Sequence, residues 1–146
     1  MSRFPKRFQP EASIFMRAPD FELDGWCLED GEQRHRETPS TFPIPDLQVR
    51  EILQPGDFAK LIFKIAVDDD NDPEPIERMW VIVRERTPTG YIGMLDNEPS
   101  AISENDQFWR GSELPFEPRH IIAVQHANPD SLALAAQPAP IPWARA

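Results

Sequence analysis

The chain has 146 residues, 17 of them proline, and 25 acidic against 15 basic side chains leave a net charge of −10. This length predicts one domain that buries a core without help from disulfides or metals. The negative charge repels nucleic-acid phosphates and anionic membranes, so we expect neither as a partner and favour a basic protein. Cys27 is the single cysteine, and no segment has the apolar length of a signal peptide or a bilayer span. We therefore predict a cytoplasmic protein.

The first part of the chain combines short apolar runs with a proline-rich connector. The runs cover 12–16 and 21–28, and the connector reaches residue 45. We expect short strands followed by extended chain. A short helix is predicted next, over 47–53, with Asp46 as its N-cap. Its apolar face would hold Val49, Ile52 and Leu53.

The segment from Pro55 to Leu95 is predicted to form an antiparallel meander. Proline and glycine in the second and third positions of 54–57 indicate a type II turn before the first strand. Alternating apolar residues predict strands over 58–67 and 77–85, and a third over 90–95, in which Gly93 marks a bend or a close backbone approach. The inward side chains would be Ala59, Leu61, Phe63, Ile65, Val67, Met79, Val81 and Val83. The side chains that alternate with them would point away from the core: Lys60, Ile62 and Lys64 in the first strand, and Arg78, Trp80, Ile82 and Arg84 in the second. The outer face of the second strand is expected to be partly covered, because Trp80 and Ile82 share it with charged side chains.

Two further apolar runs follow, over 114–116 and 121–124, joined by a tight helical turn at 117–120. From residue 127 onward small residues and prolines dominate, which predicts a flexible tail. The fold class is therefore mainly β: a small, strongly bent antiparallel sheet or SH3-like barrel with one short helix. The organisation is an extension over 1–45, a barrel domain over 46–126 and a tail over 127–146.

Four pieces of the second half resemble a known family. They are Pro55-Gly56-Asp57-Phe58-Ala59-Lys60-Leu61-Ile62-Phe63, Glu77-Arg78-Met79-Trp80-Val81, Gly93-Met94-Leu95-Asp96-Asn97-Glu98-Pro99 and Phe116-Glu117-Pro118-Arg119-His120-Ile121-Ile122. In combination these pieces resemble the YegJ-like bacterial domain of unknown function, over roughly residues 54–124. That family has no assigned catalytic residues, so the resemblance implies none here.

Metal and cofactor chemistry find little support in the sequence. The acidic stretch 68–74 begins like an EF-hand loop, but Pro73 and Met79 occupy the positions that require glycine and glutamate. Zinc needs three or four closely placed ligands, which one cysteine and three scattered histidines supply poorly. We predict no metal and no cofactor. His120 has a simpler expected role. We expect it to cap the turn before the last strand, donating to a backbone carbonyl or lying half exposed.

Aromatic side chains provide the candidate binding residues. Most are expected to pack in or around the core, but a second interpretation is an open groove that grips a proline-rich or extended peptide. The groove residues would be Trp80, Tyr91, Phe108 and Trp109. On this hypothesis the segment 137–143 is itself a ligand and folds back near Trp80 and Trp109.

Two classes of function remain open. The first is a non-catalytic protein-binding module whose acidic surface engages a basic protein, as an immunity protein neutralises a basic toxin, or a proline-rich peptide. The alternative is a hydrolase that uses Asp and Glu side chains, with a site near Asp96, Glu98 and His120. The asparagine and aspartate of that turn are explained equally by hydrogen bonds to their own backbone.

Overall fold

The centre of the protein is a six-stranded antiparallel sheet that curls into a small, nearly closed barrel. The computed structural model describes residues 16–66, 75–97 and 110–144. The strands are β1 (Trp26–Leu28), β2 (Phe58–Ile65), β3 (Ile76–Arg86), β4 (Tyr91–Leu95), β5 (Glu113–Phe116) and β6 (Ile121–Gln125). The predicted fold class, a small bent antiparallel sheet or SH3-like barrel, is confirmed.

Strand β2 organises the barrel because it has neighbours along its whole length. One edge pairs with β3, while the other pairs with β6 over its first half and with β1 over its second half. The long strand β3 continues past β2 and pairs with β4, with a register shift between Val83 and Glu85. The extra residue at this bulge, Arg84, bends the strand and helps to close the sheet.

The predicted alternation of inward and outward side chains is confirmed. In β2 and β3 all the expected inward residues that the structure describes are buried, whereas Val67 lies outside the described residues. Ile62 and Ile82 are also buried, although they alternate with the outward set. On β3 the reason is that a C-terminal helix packs on the outer face of the strand. Partial cover of that face was predicted from the presence of Trp80 and Ile82 among charges.

Short helices surround the barrel, and more of them exist than the single one predicted. They are α1 (Phe21–Asp24), α2 (Gly31–Glu37), α3 (Leu47–Arg50), a 3₁₀ turn (Pro118–His120) and α4 (Pro129–Ala136). The strand predicted over 21–28 is wrong in its first half, because the Asp20 carboxylate accepts hydrogen bonds from the Glu22 and Leu23 backbone at 2.9 Å and starts a helical turn. The strand predicted over 12–16 lies almost entirely outside the described residues.

The helix predicted over 47–53 is a single turn, Leu47–Arg50, and its buried face differs from the predicted one. Asp46 is at the N-cap position as predicted, but its side chain makes no capping hydrogen bond. Val49 and Ile52 are exposed, at 39% and 64%, whereas Arg50 is 5% exposed and Leu53 is buried. The Arg50 guanidinium donates to the carbonyl oxygens of Pro45 and Pro118 at 2.8 and 2.9 Å. These bonds turn the arginine inward, and the apolar side chains of the turn face solvent as a result.

Several predicted turns are confirmed. Gly56 has φ +96°, and the Asp57 N–H donates to the Gln54 carbonyl, as a type II turn requires. A Cβ on Gly93 would lie 3.0 Å from the Ile82 carbonyl oxygen, which is the predicted close backbone approach. The helical turn between the last two strands is the 3₁₀ turn.

The C-terminal segment has more structure than the flexible tail predicted from residue 127. Asn128 caps α4 by accepting from the Ser131 N–H at 2.8 Å, and Pro129 occupies the first helical position. After the helix, Ile141 forms a parallel bridge with Ser112 beside β5. None of the helices in the described ranges has the length and apolarity needed to cross a bilayer.

Candidate functional site

An apolar cleft of about 240 Å³ lies at one end of the barrel. We call it the His120 cleft. It is bounded by the segment before α1, the β3–β4 turn, and the end of β5 with its 3₁₀ turn. Its walls are Met16, Ala18, Pro19, Thr87, Pro88, Thr89, Tyr91, Pro115, Phe116, Glu117 and His120. Three prolines and the rings of Tyr91 and Phe116 are among these walls.

His120 is the buried polar side chain of the cleft, at 5% exposure. The Glu117 backbone N–H donates to its Nδ1 at 2.9 Å. Because Nδ1 is the acceptor, the proton of the neutral ring is on Nε2, and no described residue accepts a hydrogen bond from it. The prediction that His120 caps the turn before the last strand is confirmed. The expected donation to a backbone carbonyl and the expected half exposure are wrong, because the ring accepts at Nδ1 and is buried.

The His120 ring is neutral at physiological pH. Burial, together with the neighbouring Arg119 guanidinium, lowers the pKa of His120 from its ordinary value of 6.5 to about 4. At neutral pH the imidazole that lines the cleft is therefore an uncharged donor rather than a cation. Such a group orients a ligand carbonyl without requiring a negative charge on the ligand.

Two aromatic rings form the floor of the cleft and are held rigidly. Tyr91 and Phe116 stack with their ring centroids 5.3 Å apart. The Tyr91 hydroxyl donates to the Arg50 carbonyl at 2.6 Å and accepts from the Leu53 N–H at 3.1 Å. Burial raises the pKa of Tyr91, so the phenol stays protonated. The floor is therefore preformed.

A buried arginine ties the cleft to the helices around it. Arg50 Nη1 lies 2.6 Å from a Glu32 carboxylate oxygen, and the same nitrogen donates to Pro118 of the 3₁₀ turn. At Gly31 a Cβ would lie 2.7 Å from Ile122 and 3.3 Å from the Arg119 carbonyl oxygen, so only glycine lets α2 approach this closely. The position of His120 depends on these contacts.

Of the predicted aromatic groove, the structure describes Trp80 and Tyr91, and these two do not share one surface. Tyr91 is a core residue whose ring reaches the cleft. Trp80 is on the outer face of β3, where its ring meets Phe58 edge-on at 6.3 Å and lies below the Lys60 ammonium at 5.5 Å. Phe108 and Trp109 lie outside the described residues. The cleft residues Pro88 and Phe116 were missed as binding residues, although prolines beside aromatics were the available signal.

Two of the three residues of the alternative hydrolase site are described by the structure, and they lie apart. Asp96 follows the end of β4 that is remote from the cleft, roughly 16 Å from Tyr91 at the rise of a β-strand. Its carboxylate lies 3.2 Å from the Arg110 guanidinium. His120 is at the opposite end of β4 and β5, and Glu98 lies outside the described residues. Asp96 and His120 therefore do not form one reaction centre.

Metal-binding side chains are also dispersed in the part of the chain that the structure describes. In residues 16–66, 75–97 and 110–144, no three His, Cys, Asp or Glu side chains lie close enough together to hold a metal ion. Cys27 is partly buried in β1, opposite Lys64 of β2. The acidic stretch 68–74, weighed as a calcium loop, lies outside the described residues.

Comparison with known proteins gave no match among protein-family models, curated proteins or solved structures. The resemblance to the YegJ-like domain therefore stays a prediction.

Proposed function

We propose that this protein is a non-catalytic interaction module that binds an extended, proline-containing segment of a partner protein in the His120 cleft. The observation that carries the proposal is the combination of apolar walls with one buried, neutral donor. Aromatic-lined clefts on small domains are a recurring means of gripping preformed polyproline helices.

The chemistry of proline explains the match. A proline residue offers a carbonyl acceptor but has no N–H, so a proline-rich segment needs donors from its receptor. The Nε2–H of His120 supplies such a donor, and the rings of Tyr91 and Phe116 supply flat apolar contact. Because the imidazole is neutral, recognition does not depend on an anionic ligand.

The charge of the chain supports a basic partner. A net charge of −10 favours encounter with a cationic surface and disfavours nucleic acid and anionic membranes. Neutralisation of a basic protein in the cytoplasm, in the manner of an immunity protein, is the role that this combination fits best. The YegJ-like resemblance, which implies no catalytic residues, agrees with a binding role.

The test is a titration followed by backbone amide NMR. The probe is a synthetic peptide in which Pro-Leu-Pro units alternate with arginine, and its matched control carries glutamate in place of arginine. We expect shifts at Thr87, Thr89 and Glu117 with the basic peptide and weaker binding of the acidic one.

Blocking the cleft provides the specificity control. Thr89→Trp places a large ring at the cleft rim and should abolish the shifts, whereas Gln48→Trp adds the same ring at an exposed position outside the cleft walls and should not. Saturating basic peptide that leaves the Thr87 and Glu117 amides unmoved, or that binds Thr89→Trp as well as the unmodified chain, would refute the proposal.

A further inference from the structure

The C-terminal segment already occupies a second recess of the barrel in extended form. This recess, the β5 seam, is formed by Gly111, Ser112 and Glu113 together with Trp26 of β1. Ile141 pairs with Ser112 in a parallel bridge, and the Glu113 N–H donates to the Ile141 carbonyl at 2.8 Å. The segment therefore extends the sheet by strand addition, one of the standard modes of peptide recognition.

Side-chain contacts give the bound segment its register. The Trp143 backbone N–H donates to the Glu113 carboxylate at 3.0 Å, and the Trp143 ring meets Trp26 edge-on with centroids 5.8 Å apart. The Arg17 guanidinium lies 4.8 Å from the centre of the Trp143 ring and is itself held by Asp24 at 2.7 Å. Trp143 is thus an aromatic anchor with apolar and cationic neighbours.

The carboxylate that receives the segment is positioned in advance by the barrel. Glu113 is 3% exposed, and its second oxygen lies 3.3 Å from Arg84 Nε. Arg84 is at the bulge of β3 and also donates to the Leu134 and Ala135 carbonyls at the end of α4. The Arg84–Glu113 ion pair therefore contacts the C-terminal segment at two places, the seam and the last turn of α4.

The segment is seated on the seam but packs loosely against it. Clefts of about 200 and 270 Å³ flank it on its two sides. The Ile141 side chain is 44% exposed. Trp143 packs against the core, whereas Ile141 and Pro142 stay exposed, so one side chain anchors the segment as in a bound peptide.

We propose that the β5 seam is a docking site for an extended segment of a partner protein that carries a proline-flanked tryptophan, and that residues 140–143 occupy it in cis. The partner chemistry is defined by the chain's own segment: a backbone carbonyl for the Glu113 N–H, a backbone N–H for the Glu113 carboxylate, and a tryptophan for Trp26 and Arg17. The site is separate from the His120 cleft and does not depend on the function proposed for that cleft.

The experiment uses the full chain and a peptide added in trans. The probe is a fluorescein-labelled peptide with the sequence of residues 137–146, titrated by fluorescence anisotropy into the unmodified chain and into Trp143→Ala. The cis segment competes at an effective concentration in the millimolar range, so Trp143→Ala should bind the peptide at least about tenfold more tightly. A control peptide with alanine in place of tryptophan should bind neither protein.

A second variant keeps the test decisive if Trp143→Ala loses its native spectrum. Pro142→Gly leaves every seam side chain in place and loosens the segment only through its backbone, so it should also increase peptide binding, by a smaller factor. Amide shifts at Ser112 and Glu113 should locate the peptide on the seam. Thr89→Trp, which blocks the His120 cleft, should leave this binding unchanged.

A folded Trp143→Ala chain that binds no peptide at millimolar concentration, or peptide shifts confined to the His120 cleft, would overturn the proposal. A dimer of the unmodified chain that forms at high concentration and that Trp143→Ala abolishes would support it and identify a second copy as the source of the segment.

Discussion

The barrel and the segments attached around it are held together in different ways. The barrel core is a continuous apolar cluster in which Leu61, Phe63 and Val81 are completely buried. The attached segments are fixed in large part by single polar anchors, such as Arg50 for the helices before β2 and Glu113 for the C-terminal segment. Both recesses lie where a segment meets the barrel. The two proposed binding sites therefore both lie at junctions between an attached segment and the barrel.

Because the barrel core is a continuous apolar cluster, truncating a core side chain should lower the free energy of unfolding more than any change in an attached segment. Phe63→Ala should lower the free energy of unfolding by about 3–5 kcal/mol, because it removes a buried ring and leaves a cavity. Urea unfolding monitored by circular dichroism measures this loss. Phe58→Ala, on the outer face of the same strand, is the matched control and should cost clearly less. Equal losses for the two variants would contradict the assignment of inner and outer faces.

Acidification tests the junction at the His120 cleft. The folded-state pKa of about 4 lies below the ordinary 6.5, so between these values the unfolded chain binds a proton that the folded chain does not. The contribution of His120 to the free energy of unfolding is therefore fully present above pH 6.5. It is lost as the pH drops toward 4, which lowers the free energy of unfolding by up to about 3 kcal/mol. Protonation of Nδ1 also removes the acceptor of the Glu117 N–H.

The contribution of His120 is obtained by difference. Urea midpoints measured from pH 4 to pH 7.5 should decline more steeply on acidification for the unmodified chain than for His120→Gln. His126→Gln, at an exposed histidine, should follow the unmodified chain. Parallel curves for the unmodified chain and His120→Gln would show that His120 does not titrate differently in the folded and unfolded states.

Removing the Arg50 anchor should have an intermediate effect. Arg50→Met leaves the Pro45 and Pro118 carbonyls and the Glu32 carboxylate without their donor, and should cost about 2 kcal/mol, less than a fully buried pair because Glu32 reaches solvent. Arg36→Met, at an exposed position of α2, should stay within about 0.5 kcal/mol of the unmodified chain. Thermal unfolding compares the two, and a neutral Arg50→Met would contradict the role of Arg50 as an anchor.

The smallest effect is expected at the cap of α4. Asn128→Ala should weaken the helix by about 1 kcal/mol, because the Ser131 N–H loses its acceptor. Amide hydrogen exchange should accelerate in α4 and stay unchanged in β2. Asn128→Asp keeps an acceptor at the cap and should exchange like the unmodified chain. Faster exchange throughout the barrel would mean that α4 and the barrel unfold together.

The barrel strands could be predicted from the sequence, whereas the placement of the attached segments could not. The strands β2, β3 and β4 and the 3₁₀ turn were predictable because alternation, Pro55-Gly56 and Pro118 are local signals. The attached segments depend on partners far along the chain, such as Arg50 with Pro118 and Trp143 with Glu113. Local patterns cannot show these pairings. The start of α4 differs from the other attached segments, because Asn128-Pro129 is a local start signal from which the helix could have been predicted. A flexible tail was predicted there instead.

The candidate site was predicted only in part. His120 and Tyr91 were both selected, but for different sites, because their proximity follows from the closure of the barrel. Trp80 was grouped with Tyr91 on the basis of residue type, although the alternation of β3 directs it outward. A strand pattern gives the face of each residue, whereas a cleft at the end of a barrel requires the three-dimensional path of the loops.

The function proposed for the cleft requires His120 to be a neutral imidazole with its proton on Nε2. Long-range proton–nitrogen NMR of the His120 ring at pH 7, followed by a pH titration, measures this state directly. We predict the Nε2–H tautomer and a pKa of about 4. A ring that titrates near 6.5, or one that carries its proton on Nδ1 at neutral pH, would contradict the structure of the site and the function proposed for it.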